Sequence, residues 1–515
     1  MPLTDALGVL PQLKTVDRFK ADPVRTQERL LRNLLNKARD TEWGRANGYA
    51  DLLRESDVVA AYQKRIALNE YEVFRDAVTR MRSGAEDVLW PGPVQHFAVS
   101  SGTASAGKLI PLSREMLDAN RQFTLTTALN YARSSGSLSF MTGRLLSVPG
   151  RIEEDPQNPG TLVGEMSGLM YLFGPWWVKR YFQAVDEEVL FMRRWEDKLN
   201  AMVRSTMDMN ITSMAMVPSW AVVFFPMLID EYNRRHEKKV STVREIWPRL
   251  KVFFSGAVAL SSYLELMQEQ IGADDMDFIE SYGASEGVFS FQTRSGDEDM
   301  LLHLDNGVFF EFVRMDEDPD TGQRYTIRDV ELDVRYRLYV SSCSGLWSYA
   351  VGDVVRFTSL APHRIVVAGR TSEMLDAYGE AVFGGEARAA LEGACEASGD
   401  RFRDYHIAAL APAGRQPPRH QWLIEFDHPP ADTEALASAI DTYLQDVNRH
   451  YVIRRECGAF GPPEIIPLAP GTFLRWLQQT RKQVSAQTKV PRMSEDRTYA
   501  DGILRTVETI GAPPT

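Results

Sequence analysis

Nine consecutive residues, Ser100-Ser101-Gly102-Thr103-Ala104-Ser105-Ala106-Gly107-Lys108, hold four hydroxyls, two glycines and one ammonium. Hydroxyls and an ammonium donate to phosphate oxygens, and glycines let backbone N–H groups approach an anion closely. The stretch nearly spells the P-loop G-x-x-x-x-G-K-[ST], but Leu109 stands where a hydroxyl must ligate magnesium. Pro111 also comes too soon for a helix starting at Lys108 to continue. A P-loop NTPase is excluded; a phosphate cradle of Ser100, Ser101, Thr103 and Lys108 is not.

Two further stretches carry chemistry. In Tyr282-Gly283-Ala284-Ser285-Glu286-Gly287 the tyrosine can stack on a purine. Glu286, beyond a tight turn, offers a hard oxygen ligand for Mg2+ and is expected to face solvent or ligand, not core. In Tyr349-Ala350-Val351-Gly352-Asp353-Val354-Val355, the aspartate can accept both hydroxyls of a ribose. Arg370 follows Gly369 at a plausible hinge, and Lys489 opens the basic run Lys489-Val490-Pro491-Arg492. Taken singly, each stretch also reads as an ordinary solvated turn. The eight histidines are scattered without metal-ligand spacing, and no Ser/His/Asp or Cys/His array stands out.

The elements that must position these residues follow from the apolar pattern. Residues 1 to about 90 read helical, with Leu30, Leu31, Leu34 and Leu35 on one face. Short apolar runs then end in small-residue turns: Phe97-Ala98-Val99, Val252-Phe253-Phe254 and Phe278-Ile279. That rhythm is the mark of an α/β protein whose strands feed functional loops. A β-rich patch follows, in which Phe309–Val313 and Tyr325–Ile327 flank the strong turn signal Asp318-Pro319-Asp320-Thr321-Gly322. Ile365–Ala368, His406–Leu410 and Trp422–Phe426 read as strands, and Leu436, Ile440, Tyr443, Leu444 and Val447 as one helix face. The expected division is a large domain, 1–370, and a small α+β domain, 371–515.

Composition agrees with a globular protein. The chain has 515 residues, 44% hydrophobic and 25% charged, with a net charge of −12. Such acidity, with no Lys/Arg-rich run, argues against a nucleic-acid partner. Cys343, Cys395 and Cys457 stand far apart, as expected of buried thiols in a reducing compartment. Met1–Leu10 lacks a basic region before its apolar residues, unlike a secretion signal. Ile211–Ile229 is nearly long enough to span a membrane, but Pro218 and Pro226 favour a strand, a turn and a core helix. The expectation is a cytoplasmic protein without a membrane span.

In this order and at these separations the motifs resemble one superfamily, the adenylate-forming enzymes. The closer resemblance is to the Gretchen Hagen family of acyl acid–amido synthetases, in its bacterial branch. It is carried by Ser100–Thr103 with Lys108–Pro111, Val252–Ala257, Tyr282–Gly287, and Leu346–Tyr349 with Gly352-Asp353. Gly369–Thr371, Gly379-Glu380, Gly471–Phe473 and Lys489–Arg492 complete it. The resemblance implies a large N-terminal α/β domain, a small mobile C-terminal domain, and use of ATP and Mg2+. It implies that a carboxylic acid is joined to AMP and then passed to an amine, usually an amino acid. By this resemblance Ser100, Ser101, Thr103 and Lys108 hold phosphates, Ser255, Gly256, Ala257 and Tyr282 flank adenine, and Ser285 belongs to the nucleotide motif. Glu286 serves Mg2+, Asp353 the ribose, Arg370 sits at the hinge, and Lys489 is the catalytic lysine. Two departures stand out: the phosphate loop is one residue short before Lys108, and Ala381 stands where many plant members have lysine.

The acid pocket is the least legible part. Val217, Ser219 and Trp220 lie where the superfamily lines its acyl site, and a core role serves them equally well. Trp176-Trp177 and Tyr181-Phe182 read as a second wall or as core. Two rivals to the amide-forming ligase remain at this stage. One passes the acyl group to a thiol such as coenzyme A; the other is a nucleotide-binding sensor or scaffold without catalysis.

Overall fold

The computed structural model describes residues 16–99, 108–156, 158–192, 194–256, 260–318, 321–371, 373–375, 377, 378, 380, 382–411, 417–456, 460–480, 490–495 and 497–511. Contacts divide the chain into two compact units. One comprises Met1–Val351, Val355–Val366 and Ser485–Gln487; the other comprises Gly352–Val354, Val367–Val484 and Thr488–Thr515. Asp353 therefore falls in the second unit, although the sequence alone groups it with the other nucleotide contacts of the first.

The first unit opens with helix α1 (Pro23–Ala38), capped by the Asp22 carboxylate, which accepts from the Arg25 N–H. Its Leu30, Leu31, Leu34 and Leu35 are buried, as their spacing requires. Strands β1 (His96–Val99), β2 (Leu109–Leu112), β3 (Arg144–Ser147), β4 (Ile152–Glu154) and β5 (Leu162–Gly164) follow. β2-β1-β5-β4 form a small sheet in which β1 and β2 are antiparallel, with Phe97 opposite Pro111. The Ser/Gly stretch thus joins strand to strand. Helix α2 (Arg114–Ser135) begins only after Ser113, whose hydroxyl accepts from the Met116 N–H at 3.0 Å. A P-loop would pass from strand straight into helix, so this topology is a second reason against it.

The large sheet continues with β6 (Ile211–Ala215), β7 (Val252–Ser255), β8 (Asp277–Ala284), β9 (Gly287–Phe291), β10 (Met300–Leu302), β11 (Val308–Arg314), β12 (Arg335–Ser342), β13 (Tyr349–Leu360) and β14 (His363–Arg370). Its order is β11-β12-β13-β14-β10-β9-β8-β7-β6-β3. At one end β3, β6, β7 and β8 run parallel, while β8 and β9 form an antiparallel hairpin. β7 reads as a continuous apolar run, as parallel strands covered on both faces do. Helix α3 (Trp195–Thr206) and helix α4 (Pro218–His236) pack on this region. Pro218 occupies the first turn of α4, where no N–H is needed, and Pro226 lies inside it. The long apolar stretch is thus strand, turn and core helix, and no described helix is long and apolar enough to cross a membrane.

Tyr325 forms an antiparallel bridge to Phe312, and β11 pairs with β12 along its length. Two local expectations are corrected. The motif Tyr282-Gly283-Ala284 does not follow a strand but lies inside β8. Trp176 and Tyr181 are 64% and 58% exposed, so neither belongs to the core.

The second unit contains the short pair β15 (Met374–Leu375) and β16 (Val382–Phe383), then helix α5 (Gly384–Ser398). Strands β17 (Phe402–Leu410), β18 (Arg419–Phe426), β19 (Glu464–Leu468) and β20 (Met493–Ser494) form a sheet in the order β19-β18-β17-β20. Helix α6 (Thr433–Val447) buries Leu436, Ile440 and Leu444. It also buries Asp441, which the apolar pattern misses, and leaves Tyr443 and Val447 exposed. Asp441 is held by Arg455 and by the Tyr451 hydroxyl at 2.7 Å, which is what makes its burial tolerable.

Candidate functional site

In open parallel sheets, ligands bind off the carboxyl ends of the strands. Here those ends bring together three of the stretches singled out above. Val217 is the N-cap of α4, just past β6, and Trp220 is partly buried in its first turn. The Ser219 side chain lies outside what the structure describes. β7 ends at Ser255, which is 3% exposed and whose hydroxyl has no hydrogen-bond partner among the described residues. Its carbonyl accepts from the Ser281 hydroxyl of β8 at 2.9 Å. A side chain on Gly256 would stand 3.3 Å from the Ser281 backbone and hydroxyl oxygens, so glycine permits this close approach. Ala257 lies outside the described residues.

Ser285 and Glu286 are the two-residue turn of the β8–β9 hairpin, between paired Ala284 and Gly287. The Ser285 hydroxyl donates to the Val99 carbonyl at 3.3 Å. It therefore ties the turn to the last residue of β1, where the Ser/Gly stretch begins. Ser100, Ser101 and Thr103 themselves lie outside the described residues. Lys108, at the far end of that stretch, holds its ammonium 5.7 Å above the Tyr71 ring. The Tyr71 hydroxyl in turn brackets Leu109, donating to its carbonyl at 3.1 Å and accepting from its N–H at 3.0 Å.

Glu286 is only 5% exposed, against the expectation of an open carboxylate. The reason is Tyr349, 1% exposed, whose phenol hydrogen-bonds to it. Burial first, then the charge and hydrogen bond of Glu286, push that phenol well above its ordinary pKa, so it stays a donor. Glu70 and Tyr71 also stand close enough to raise it. They are brought there by Asn69, whose N–H donates to the Ser348 carbonyl and whose carbonyl accepts from Ala350, both at 2.9 Å. The Tyr282 ring meets Phe289 edge-on at 5.3 Å and is partly buried.

The sequence places Tyr349 in two motifs but gives it no role of its own, and it does not announce the buried network behind it. Ser348 has a positive φ of 43°, rare for a non-glycine residue. Its hydroxyl donates to Glu311 at 2.6 Å and accepts from Arg324 at 2.8 Å. The Tyr62 hydroxyl bonds the Ser341 hydroxyl at 2.8 Å beside it. This network fixes the backbone immediately before Tyr349. The only available signal was the Ser348-Tyr349 dipeptide after the turn glycine Gly345.

In the second unit, Asp353 is 7% exposed. It follows Gly352, whose φ of 86° needs glycine and whose carbonyl accepts from the Thr371 N–H at 2.8 Å. Arg370 closes β14, with its side chain outside what the structure describes. Lys489 lies outside the described residues. Among the described residues no group of three or more His, Cys, Asp or Glu side chains is placed to hold a metal ion. Mg2+ is commonly held by one or two carboxylates plus substrate phosphates, so a lone Glu286 is chemically sufficient. The unpartnered Ser255 hydroxyl and the bare Gly256 backbone likewise fit a nucleotide base beside β7.

This architecture is that of the adenylate-forming enzymes. The chain superposes with a TM-score of 0.78 on the GH3.15 acyl acid amido synthetase in complex with 2,4-DB, at 18% identity, covering 96% of this chain and 95% of that one. It also matches a 2-hydroxyisobutyryl-CoA ligase in the postadenylation state, with a TM-score of 0.53, 13% identity and coverage of 94% and 91%. The GH3 family N-terminal domain is matched over residues 12–183 and 167–276, the central domain over 301–370 and the C-terminal domain over 385–498. The chain belongs to the GH3 family. A probable indole-3-acetic acid-amido synthetase of Oryza sativa subsp. japonica is 22% identical over 93% of this chain and 89% of its own length. An Arabidopsis thaliana indole-3-acetic acid-amido synthetase is 29% identical, but the match spans only 22% of this chain and 21% of that protein.

Proposed function

We propose that the protein is an AMP-forming acyl acid–amido synthetase. It activates a carboxylic acid with ATP and passes the acyl group to an amine, an amino acid in the reading favoured here. The observation that carries this is the meeting of Ser285, Glu286 and Tyr349 beside the last residue of β1, with Lys108 held over the Tyr71 ring. Membership of the GH3 family, and relatives named amido synthetases, favour the amine over a thiol as acceptor.

In the first step a carboxylate oxygen attacks the α-phosphorus, the bond to the bridging oxygen breaks, and pyrophosphate leaves. Ser100, Ser101, Thr103 and Lys108 hold the phosphates, and Lys489 meets the charge that develops at the α-phosphate. Ser255, Gly256, Ala257 and Tyr282 flank the base, Asp353 accepts from the ribose, and Arg370 supplies a further cation. Glu286, oriented by Tyr349, would hold Mg2+, which would supply positive charge to the phosphates. In the second step the amine nitrogen attacks the acyl carbon, AMP leaves with the bonding pair, and the nitrogen gives up a proton. Val217, Ser219 and Trp220 border the acid.

Cys343 and Cys395 are free and buried, which favours a reducing, cytoplasmic location. The test is exchange of labelled pyrophosphate into ATP across a panel of acids, followed by mass spectrometry with amino acids and with coenzyme A. Acid-dependent exchange and an amide product are expected. A thioester product would move the acceptor to a thiol, and ADP release without exchange would overturn adenylation.

A further inference from the structure

β2 is an end strand of the small sheet, and Leu109 opens it opposite Val99, the last residue of β1. In an antiparallel ladder, alternate residues turn their N–H and C=O away from the partner strand. Leu109 turns both toward Tyr71, the first residue of the helix Tyr71–Arg82. The Tyr71 hydroxyl accepts from the Leu109 N–H at 3.0 Å and donates to its carbonyl at 3.1 Å. Across the ladder the Val99 carbonyl accepts from the Ser285 hydroxyl at 3.3 Å. One hydroxyl therefore fixes the chain entering the Ser/Gly stretch, and another fixes the chain leaving it.

The same tyrosine meets Lys108. Tyr71 is 5% exposed, and the Lys108 ammonium lies 5.7 Å from its ring centroid. A ring face attracts a cation through its quadrupole and supplies no lone pair. An ammonium has three N–H donors, so one held this way keeps them for the oxygens of a ligand. A carboxylate in that place would compete for them. Glu72 is close enough to feel the Lys108 charge, but its two oxygens accept from Arg75 at 2.6 and 2.7 Å. Arg75 lies 5.2 Å from the Tyr71 ring centroid and keeps Glu72 occupied there. Backbone pairing sets where the ring stands. Asn69, two residues earlier, donates from its N–H to the Ser348 carbonyl and accepts from the Ala350 N–H, both at 2.9 Å, and its side-chain amide donates to the Trp347 carbonyl at 2.7 Å. The helix thus starts beside Tyr349, the partner of Glu286.

We infer that Tyr71 is a positioning residue for Lys108: its hydroxyl fixes the Leu109 stem, and its ring holds the ammonium where it meets a phosphate of ATP. The inference rests on the ligase reading for the identity of the ligand. In this role Tyr71 touches no reacting atom and acts through Lys108.

The test uses the full chain with ATP and Mg2+, and the variants Tyr71→Phe, Tyr71→Leu, Lys108→Met and the double variant of the last two, each checked by melting temperature. ATP affinity is read by calorimetry. Tyr71→Leu loses ring and hydroxyl and is expected to weaken ATP binding about tenfold; Tyr71→Phe keeps the ring and is expected to weaken it about threefold. Combined with Lys108→Met, the Tyr71→Leu change is expected to cost less than it does alone, because the ammonium it positions is gone. Full additivity, unchanged ATP affinity in well-folded Tyr71→Leu, or a loss in Tyr71→Phe as large as in Tyr71→Leu overturns the inference. A second measurement does not depend on how Tyr71→Leu folds. Reductive methylation places isotope-labelled methyl groups on the lysine amines and keeps their charge. The Lys108 resonance, assigned by its loss in Lys108→Arg, is expected upfield of exposed lysines through the Tyr71 ring current, and to stay there in Tyr71→Phe. A Lys108 resonance at the position of exposed lysines overturns the inference. ATP affinity that depends on Tyr71 through Lys108, without acid-dependent pyrophosphate exchange, would keep the inference and remove the ligase reading. Acid-dependent exchange, with every Tyr71 variant binding ATP as the wild type does, would do the reverse. A wild type that binds no ATP would overturn both.

Discussion

Glu286 is where the nucleotide reading meets the geometry. Its carboxylate is buried and engaged by the Tyr349 phenol, so its role depends on a partner as well as on its charge. Glu286→Gln keeps an oxygen to accept from Tyr349 but loses the charge that a metal needs. Turnover should fall by about 2–4 kcal/mol of transition-state stabilisation, with a higher Mg2+ requirement and a nearly unchanged melting temperature. Tyr349→Phe should raise the Mg2+ requirement less, because it removes one hydrogen bond to the carboxylate without discharging it. Activity and Mg2+ curves identical to wild type would make Glu286 a purely structural acceptor. A second residue, His303, makes a prediction about acid. It sits among the rings of Phe19, Phe123 and Phe291, at 5.2–6.0 Å, with no hydrogen-bond partner on Nδ1 among the described residues. Burial pushes its pKa down to about 3. The unfolded chain takes up this proton below about pH 6.5 while the folded chain does not, so stability falls as pH drops from 6.5 toward 3. At pH 5 the loss is about 2 kcal/mol. His303→Phe should flatten denaturation midpoints across that window; an equally steep curve would assign the acid sensitivity elsewhere. The turn that carries Glu286 was legible because a carboxylate in a glycine-framed turn is a local pattern; the burial of that carboxylate was not. Nor were the surroundings of Tyr349 and His303, which come from other elements such as those carrying Glu286, Phe19 and Phe123.

At the scale of elements, the sequence spoke clearly wherever a stop signal was chemical. Pro111 and Ser113 show this. The proline forces extended chain in β2, and the Ser113 hydroxyl then caps α2. Ser113→Ala should lower stability by about 1 kcal/mol through loss of the Met116 N–H acceptor, with a further cost because that hydroxyl also bonds the Cys343 carbonyl. Chemical denaturation reads this directly, and a midpoint unmoved from wild type would refute the cap's contribution. Legibility failed where tertiary pairing decided. Tyr325–Ile327, beyond the turn signal at Asp318–Gly322, meets β11 only in the bridge to Phe312, while β11 takes β12 as its partner across seven paired residues. Only the longer strand supplies that ladder, and no local signal ranks two candidate partners. In α6 the same limit applies: Asp441 is buried because Arg455 and Tyr451 reach it, and spacing within the helix cannot announce them.

For the whole molecule, the strand-rich first unit and the smaller second unit each have their own apolar core. Leu35 in α1 belongs to one, and Leu391 in α5 to another; both are fully buried. The α/β class and the split into a large and a small part were readable from alternating textures along the chain. The assignment of Gly352–Val354 to the second unit was not, because it depends on Thr371 bonding back to Gly352. Separate cores predict separable unfolding, since two-state behaviour is a property of single domains. Removing a buried leucine side chain typically costs about 2–5 kcal/mol, through lost burial and the cavity left behind. Leu35→Ala and Leu391→Ala should therefore each lower one calorimetric transition and leave the other near its wild-type temperature. If the ligase reading holds, Leu391→Ala should also abolish acid-dependent pyrophosphate exchange at temperatures where the first unit remains folded, because Asp353, Arg370 and Lys489 all belong to the second unit. A single transition that shifts as a whole with either substitution would show that the two cores unfold as one cooperative body.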